Sequence, residues 1–505
     1  MTAATGVPTV DESGLDVLRR DLTGAGFTVD GLEELLGPVA SAALHREQRV
    51  PALLAAAATP GPAATLLRTF VLGTAVARRE LDAALPTLGA TGAKGLGLVA
   101  TQGAGKDDEA RALVDLRPYG QWWLASDLGE VATGGRLRTD HVLGVGGAST
   151  TLAKVTMRTP RERTLDLGTG CGVQALHAAT HSRAVVATDI SARALAFTRF
   201  NAALNAVTVE TRLGSMLDPV AGEAFDLVVS NPPFVITPRG AGVPHYEYRD
   251  GGRSGDDLMR DLIGDLRAVL APGGVAQLLG NWEHRRGEDW TERVGAWLDA
   301  AGLDGWVVQR EVLDPAEYAE TWLRDGGTTA DREPAAWAAG YEAWLADFAA
   351  RGVEAVGFGL LVLRRPVGEP TLRRLEERTE PLVRPLGDHL AAALAAHDRL
   401  TALTDDALAG LRLTAPADVT IEQHRRPGEA DPAVVLLRQG DGFGRAVQAG
   451  TALAGLVGAC DGELTVGQIA GALAALLDAP AGELTAELLG QVRDLVRDGF
   501  LHLPD

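Results

Sequence analysis

Between residues 160 and 365 the apolar positions fall into short unbroken runs, and most of the intervals between them carry helical spacing. The runs are Thr164–Leu167, Ala184–Thr188, Val207–Arg212, Phe225–Val229, Val275–Leu279, Trp306–Leu313 and Val356–Leu363. Runs of this length without alternation predict strands buried on both faces, and strand–helix alternation predicts a doubly wound parallel sheet. Before this region the pattern differs. From about residue 10 to 88, Leu15, Val17, Leu18 and Leu22 form one apolar helical face and Leu32, Leu35 and Leu36 another, punctuated by Pro51, Pro60, Pro62 and Pro86. From 91 to 145 short β runs take over: Gly95–Ala100, Ala112–Leu116 and Trp122–Ala125.

These shifts predict four segments: a helical N-terminal domain (1–90), a small substrate-positioning β segment (91–145), an α/β domain (146–366) with a helical insertion at 314–352, and a C-terminal domain (385–505). The insertion carries Tyr318, Trp322, Trp337, Tyr341 and Trp344 at helical spacing, which reads first as core and second as a lid. Residues 367–384, rich in Arg and Glu, read as a linker or solvated helix. The stretch Cys460–Leu501 reads as winged-helix-like, but from Thr451 onward eight acidic residues face only Arg493 and Arg497. A DNA-reading surface needs the opposite sign, so a protein contact or packing role is expected there.

Composition adds little to this picture and removes some alternatives. With 505 residues, 46% hydrophobic and 23% charged, the chain is an ordinary globular one with ample core. Its formal net charge of −20 is poorly matched to long-range capture of a nucleic-acid backbone. Cys171 and Cys460 form no metal-binding spacing, so no metal site is expected. No basic start with an apolar run opens the chain, and no apolar run approaches the roughly 20 residues that span a bilayer. A cytoplasmic protein without membrane contact is expected.

The chemistry gathers at two strand ends. Phe225–Val229 runs into Ser230-Asn231-Pro232-Pro233-Phe234, and prolines cannot continue a central ladder. The tip therefore offers an amide, carbonyls and an aromatic face, a grip for a flat nitrogen-bearing group. The first strand ends in Asp166-x-Gly168-x-Gly170-x-Gly172. A dinucleotide fingerprint would require glycine where Val173 stands, and a diphosphate would be repelled by Asp166, whereas an ammonium would be attracted. Asp189 ends the second strand, placed to take two ribose hydroxyls with Ile190 against an adenine, and Gly214-Ser215-Met216 follows the third. His141, in the Gly-rich loop 140–148, reads equally as a ligand contact and as a buried structural histidine.

Asp166-x-Gly168-x-Gly170-x-Gly172, Asp189-Ile190-Ser191 and Asn231-Pro232-Pro233-Phe234, in this order, resemble a class I S-adenosylmethionine-dependent methyltransferase of the small-methyltransferase-domain group. That group includes the HemK/PrmC-type glutamine N5-methyltransferases and the ribosomal-RNA guanine N2-methyltransferases. The resemblance implies a Rossmann-like, seven-stranded sheet and S-adenosyl-L-methionine held by Asp166, Gly168, Gly170, Gly172, Asp189, Ile190, Ser215, Met216 and Asn231. It also implies a macromolecular substrate, RNA or protein, held at Asn231, Pro232, Pro233 and Phe234, with the Asn231 side-chain oxygen and the Pro232 carbonyl accepting the N–H groups. Asp250-Gly251-Gly252 and Gly255 resemble an element of the glutamine enzymes, whereas Phe234 is usual in the RNA group. A small-molecule N-methyltransferase and a non-catalytic cofactor-binding scaffold are the alternatives.

Overall fold

The computed structural model describes residues 6–133, 138–239, 245–382 and 384–504. It divides into two compact units, Met1–Ala153 with Pro160–Glu376, and Lys154–Thr159 with Glu377–Asp505.

The first unit is built on one sheet. Its strands are β1 (Arg161–Leu167), β2 (Ser182–Asp189), β3 (Glu210–Leu213), β4 (Phe225–Ser230), β5 (Leu270–Arg285), β6 (Asp304–Leu313), β7 (Val353–Arg364) and β8 (Arg373–Glu377), in the order β8-β6-β7-β5-β4-β1-β2-β3. The pairs β3–β2, β2–β1, β1–β4 and β4–β5 are parallel, and β7 runs antiparallel between β5 and β6. The fold is Rossmann-like α/β, with eight strands where seven are expected. The eighth, β8, lies in the stretch expected to be a linker or helix. It is fixed by Trp306, whose indole N–H donates to Glu376 (2.8 Å) while Arg374 lies over its ring, 4.8 Å from the centroid. These are side-chain contacts with a distant strand, which local spacing does not encode.

The strand order reverses between β1 and β4, so their carboxyl ends open the crevice where ligands bind in such sheets. Around the sheet lie α1 (Val173–Ala179), α2 (Ala192–Leu204), α3 (Asp257–Val269) and α4 (Trp290–Ala301), with the insertion α5 (Pro315–Asp325) and α6 (Pro334–Arg351).

The N-terminal helices and the small β segment do not stand apart from this sheet. One continuous core joins Leu15, Leu18, Phe27 and Phe70 to Leu124 and to Phe197, Phe200 and Leu204 of α2. The junction is made by two asparagines one helical turn apart. Asn201 accepts from Ala125 N–H and donates to Ala125 O and Cys171 O, each at 2.8 Å. Asn205 brackets Trp123 in the same way, at 3.0 and 2.7 Å. Each side-chain amide stands in for a neighbouring strand, satisfying backbone that would otherwise be buried unpaired. The expected separation into 1–90, 91–145 and 146–366 is therefore not a separation in packing. Trp122 is buried, and half-buried Trp123 donates its indole N–H to Phe27 O at 2.6 Å.

The second unit has five helices among its described residues, Gly387–Ala402, Asp405–Ala409, Thr451–Gly458, Val466–Leu476 and Ala481–Asp498. Its antiparallel sheet is Val419–His424, Val434–Gln439 and Ala446–Gln448. The sheet precedes the last three helices, and Thr414 is bridged to both Asp461 and His502. Among the described residues no helix is long and apolar enough to cross a membrane.

Candidate active site

The glycine loop after β1 is folded back on the sheet by its own amides. Gly168 N–H and Thr169 N–H donate to Thr188 O (2.9 and 3.0 Å), and Gly172 N–H donates to Thr169 O (2.8 Å). Gly170 N–H donates to Asp189 Oδ2 (3.0 Å). Diphosphate cradles need free N–H groups, and here they are engaged within the protein. Gly168 and Gly170 lie in the left-handed region and face open space, where a side chain would meet nothing within 4 Å. Gly172 (φ +86°) has the opposite reason for lacking one: a Cβ there would stand 3.0–3.2 Å from Thr198 of α2.

Asp166, expected to attract an ammonium, is 1% exposed and braces this loop. Its Oδ2 accepts from the Thr169 hydroxyl (2.6 Å) and from Ala175 N–H in α1 (2.9 Å). Burial outweighs those hydrogen bonds and pushes its pKa up to about 7. Asp189 accepts from Gly170 and, at 2.8 Å, from Ser191 N–H, which leaves lone pairs on both oxygens for hydroxyl donors. Burial raises its pKa as well. Beside it Ile190 is 63% exposed, and on the paired strand Leu213 is 60% exposed. Two bare aliphatic chains at adjacent strand ends suit a planar apolar ring. Leu213 escapes a reading by spacing, because only the register Asp189↔Leu213 brings it there. Gly214 N–H donates to Asp189 O (3.0 Å), drawing the Ser215–Met216 turn to the same place, and Met216 itself holds a positive φ of 45°. Cys171 is buried, and its thiol is pushed up to about 11, away from nucleophilic use.

The Asn-Pro-Pro-Phe tip leaves β4 next to the loop, since the Ser230 hydroxyl donates to Leu167 O (2.7 Å). Asn231 Oδ1 is buried and has no hydrogen-bond partner among the described residues. Such an orphan costs on the order of 1–3 kcal/mol unless a ligand completes it. The Pro232 carbonyl already accepts from Phe234 N–H (2.7 Å), leaving one of its two lone pairs. Half-buried Phe234 packs edge-on against Phe358 of β7 (centroids 6.2 Å), so part of its ring serves the core.

The tip is held from behind by the segment 245–258. Phe234 bridges Asp250 antiparallel, and Val235 N–H donates to Arg249 O (2.8 Å). A Cβ on Gly251 would lie 2.7 Å from both Leu258 methyls and 3.0 Å from Pro233 O. Gly255 (φ +53°) stands over the buried carboxylate of Glu283, 3.0 Å from where its Cβ would be. Gly251 is thus fixed by its close approach to the tip, and Gly255 by the Glu283 carboxylate behind it.

The insertion is packed core at its heart. Tyr318 and Trp344 are 0% and 1% exposed, and the Tyr318 hydroxyl accepts from Ile236 N–H and from the Asn281 amide, both at 2.9 Å. Arg249 ties it to the tip, donating to Trp322 O (2.9 Å) and to Asp325 (2.5 Å). His141 is buried 3.9 Å from Asp127, and burial lowers its pKa. It stands edge-on to Tyr248 (6.3 Å).

Open glycine faces, an orphaned acceptor and bare aliphatic strand ends fit an adenosyl methyl donor better than a diphosphate cofactor. The comparisons agree with this class. Residues 144–243 match the family described as the methyltransferase small domain, and residues 24–113 match a domain of unknown function, DUF7059. The chain is 39% identical over 129 residues to the release factor glutamine methyltransferase of Deinococcus radiodurans, covering 24% of this chain and 46% of that protein. It is 31% identical over 185 residues to the ribosomal protein uL3 glutamine methyltransferase of Bradyrhizobium diazoefficiens, covering 34% and 57%. It is also 31% identical over 121 residues to the ribosomal RNA small subunit methyltransferase C of Alcanivorax borkumensis, covering 24% and 33%. The chain spans only about a third to just over half the length of these relatives.

Proposed function

We propose that the chain is an S-adenosylmethionine-dependent N-methyltransferase acting on a planar nitrogen of a macromolecule, with a protein glutamine amide as the leading substrate. The observation that carries this reading is the buried Asn231 Oδ1 at the carboxyl end of β4, unpartnered among the described residues. A conjugated amide nitrogen is a poor nucleophile. Asn231 Oδ1 and the remaining lone pair of Pro232 O accept its two N–H groups, turning the nitrogen lone pair toward the methyl. Phe234 lies along the planar group. Bound S-adenosylmethionine supplies an activated methyl on a sulfonium. Gly168 and Gly170 leave room for it, Asp189 takes the ribose hydroxyls, Ile190 and Leu213 cover the adenine, and Ser215 and Met216 line its edge. Positioning of this kind accounts for most of the rate, and no strong base is required.

Charge around the tip favours protein over RNA. Arg239 is paired with Asp250, Arg253 with Asp261, Arg260 with Asp257 and Asp261, and Arg138 with Asp140. A phosphate backbone would meet arginines already neutralised. The RNA reading rests on Phe234 and on the match to an RNA methyltransferase. The small-molecule reading loses ground because the insertion is packed core, and the scaffold reading because a scaffold has no use for an orphaned acceptor. The acidic second unit serves as a protein-contact domain, and the setting is cytoplasmic.

The test is tritiated-methyl transfer into lysate of a strain lacking this chain, followed by acid hydrolysis. Label on an amide is released as methylamine, volatile once the hydrolysate is made alkaline, whereas label on an exocyclic base nitrogen stays on the free base. Methylamine supports the glutamine reading, base-bound label transfers it to RNA, and no macromolecular label overturns it.

A further inference from the structure

The ammonium of S-adenosylmethionine carries three N–H donors and no acceptor, so its site must supply oxygens whose lone pairs are not already taken. Asp166, at the head of the glycine loop, has Oδ2 engaged by the Thr169 hydroxyl and by Ala175 N–H. Two residues past Gly172 stands a better-placed acceptor. Gln174 is 6% exposed, and its Oε1 is buried with no hydrogen-bond partner among the described residues.

The other end of this amide is fixed. Gln174 Nε2 donates to Ser149 O at 2.8 Å. Turning the amide over would set Oε1 against that carbonyl, oxygen against oxygen, so the unpartnered atom is an acceptor and not a donor. The side chain also departs from its neighbours in α1. Val173 and Leu176 pack in one cluster with Phe197 and Phe200 of α2, and Ala175 and Ala178 in another with Val185 and Ala187 of β2. Gln174 reaches instead to the helix Gly147–Val155.

The segment it reaches begins behind the tip. Glu247 N–H donates to Thr139 O (3.0 Å), and Tyr248 stands edge-on to His141. Residues 139–149 therefore run from the support of the Asn-Pro-Pro tip to the first turn of α1. These two anchors flank the glycine loop, which leaves β1 beside β4 and ends at α1. With the ribose on Asp189 at β2 and the methyl facing Asn231 at β4, the third substituent of the sulfonium, its amino-acid tail, lies over the open faces of Gly168 and Gly170 between those anchors.

From this arrangement we infer that Gln174 is a cofactor-binding residue whose Oε1 accepts a hydrogen bond from the ammonium of S-adenosylmethionine. The inference rests on the methyltransferase reading above. A neutral amide oxygen holds the cation without a second full charge having to be buried beside it.

The test is calorimetry on the full chain with three ligands. S-adenosylmethionine carries ammonium and carboxylate, its decarboxylated form keeps the ammonium alone, and methylthioadenosine lacks the whole amino-acid tail. Gln174→Leu should bind the first two about ten- to a hundredfold more weakly than wild type and methylthioadenosine equally well, the range for a lost hydrogen bond to a charged group. Unchanged affinity for S-adenosylmethionine overturns the inference. So does a loss confined to the carboxylate-bearing ligand, or an equal loss for all three, which would make the residue structural. If Gln174→Leu binds none of them, Gln174→Met, of closely matched length, is measured in its place; loss of all three there too overturns the inference. Wild type that binds methylthioadenosine but not S-adenosylmethionine, or binds neither, overturns the methyltransferase reading and this inference with it.

Discussion

The glycine loop and the Asn-Pro-Pro tip leave adjacent strands a few residues apart in register, yet they are satisfied in opposite ways. In the loop, the N–H groups of Gly168, Thr169, Gly170 and Gly172 all have partners within the protein, and Asp166 and Asp189 are fixed by the same backbone. In the tip, Asn231 Oδ1 is buried with none among the described residues. A surface that recognises a ligand chiefly by shape can complete its own hydrogen bonds in advance. A surface that must strip and orient two N–H groups has to keep an acceptor in hand, at a cost to the empty protein. The difference separates binding from transfer, and substitutions should divide along it.

The largest effect belongs to the tip. Asn231→Ala should lower methyl transfer by about a hundredfold or more while calorimetry finds cofactor affinity nearly unchanged. Asp189→Ala should do the reverse, weakening cofactor binding by roughly ten- to a hundredfold, the range for a lost hydrogen bond to a charged group. Turnover at saturating cofactor should then be retained; equal affinity by calorimetry would refute the ribose assignment. Gly251→Ala should push Pro233 and Leu258 apart and reduce transfer about three- to tenfold without altering cofactor affinity, because only the tip moves.

The smallest effect separates the loop's bracing carboxylate from a charge-bearing one. Asp166 has a folded pKa of about 7, above its unfolded value, so the folded state binds the extra proton. Its contribution to stability is present at low pH and is lost as pH rises from about 4 toward 7. Asp166→Asn removes this dependence. Denaturant titrations should show the variant gaining on wild type as pH increases over that window, with no further gain above it. A difference constant with pH would contradict the assignment.

Much of the site was legible because it is punctuated by residues with few conformational alternatives. Glycines with positive φ mark the loop, two prolines end β4, and unbroken apolar runs mark the strands, all of which are local properties. What was not legible depends on register and on distant partners. β8 exists because Trp306 and Glu376 meet across some seventy residues. The N-terminal segments join the sheet because Asn201 and Asn205 dock on the strand Trp122–Ser126, although two helix asparagines carry no such signal in sequence. Leu213 becomes interesting only through the pair Asp189↔Leu213. Asp166 shows the remaining limit: its position was evident, but the sequence conveys neither its burial nor its bond to Ala175.

The most direct measurement compares wild type and Asn231→Ala in tritiated-methyl transfer to RNase-treated protein from a strain lacking this chain, each at saturating S-adenosylmethionine confirmed by calorimetry. The account predicts protease-sensitive label with wild type and about a hundredfold less with the variant, at unchanged cofactor affinity. Equal labelling by the two proteins would contradict it.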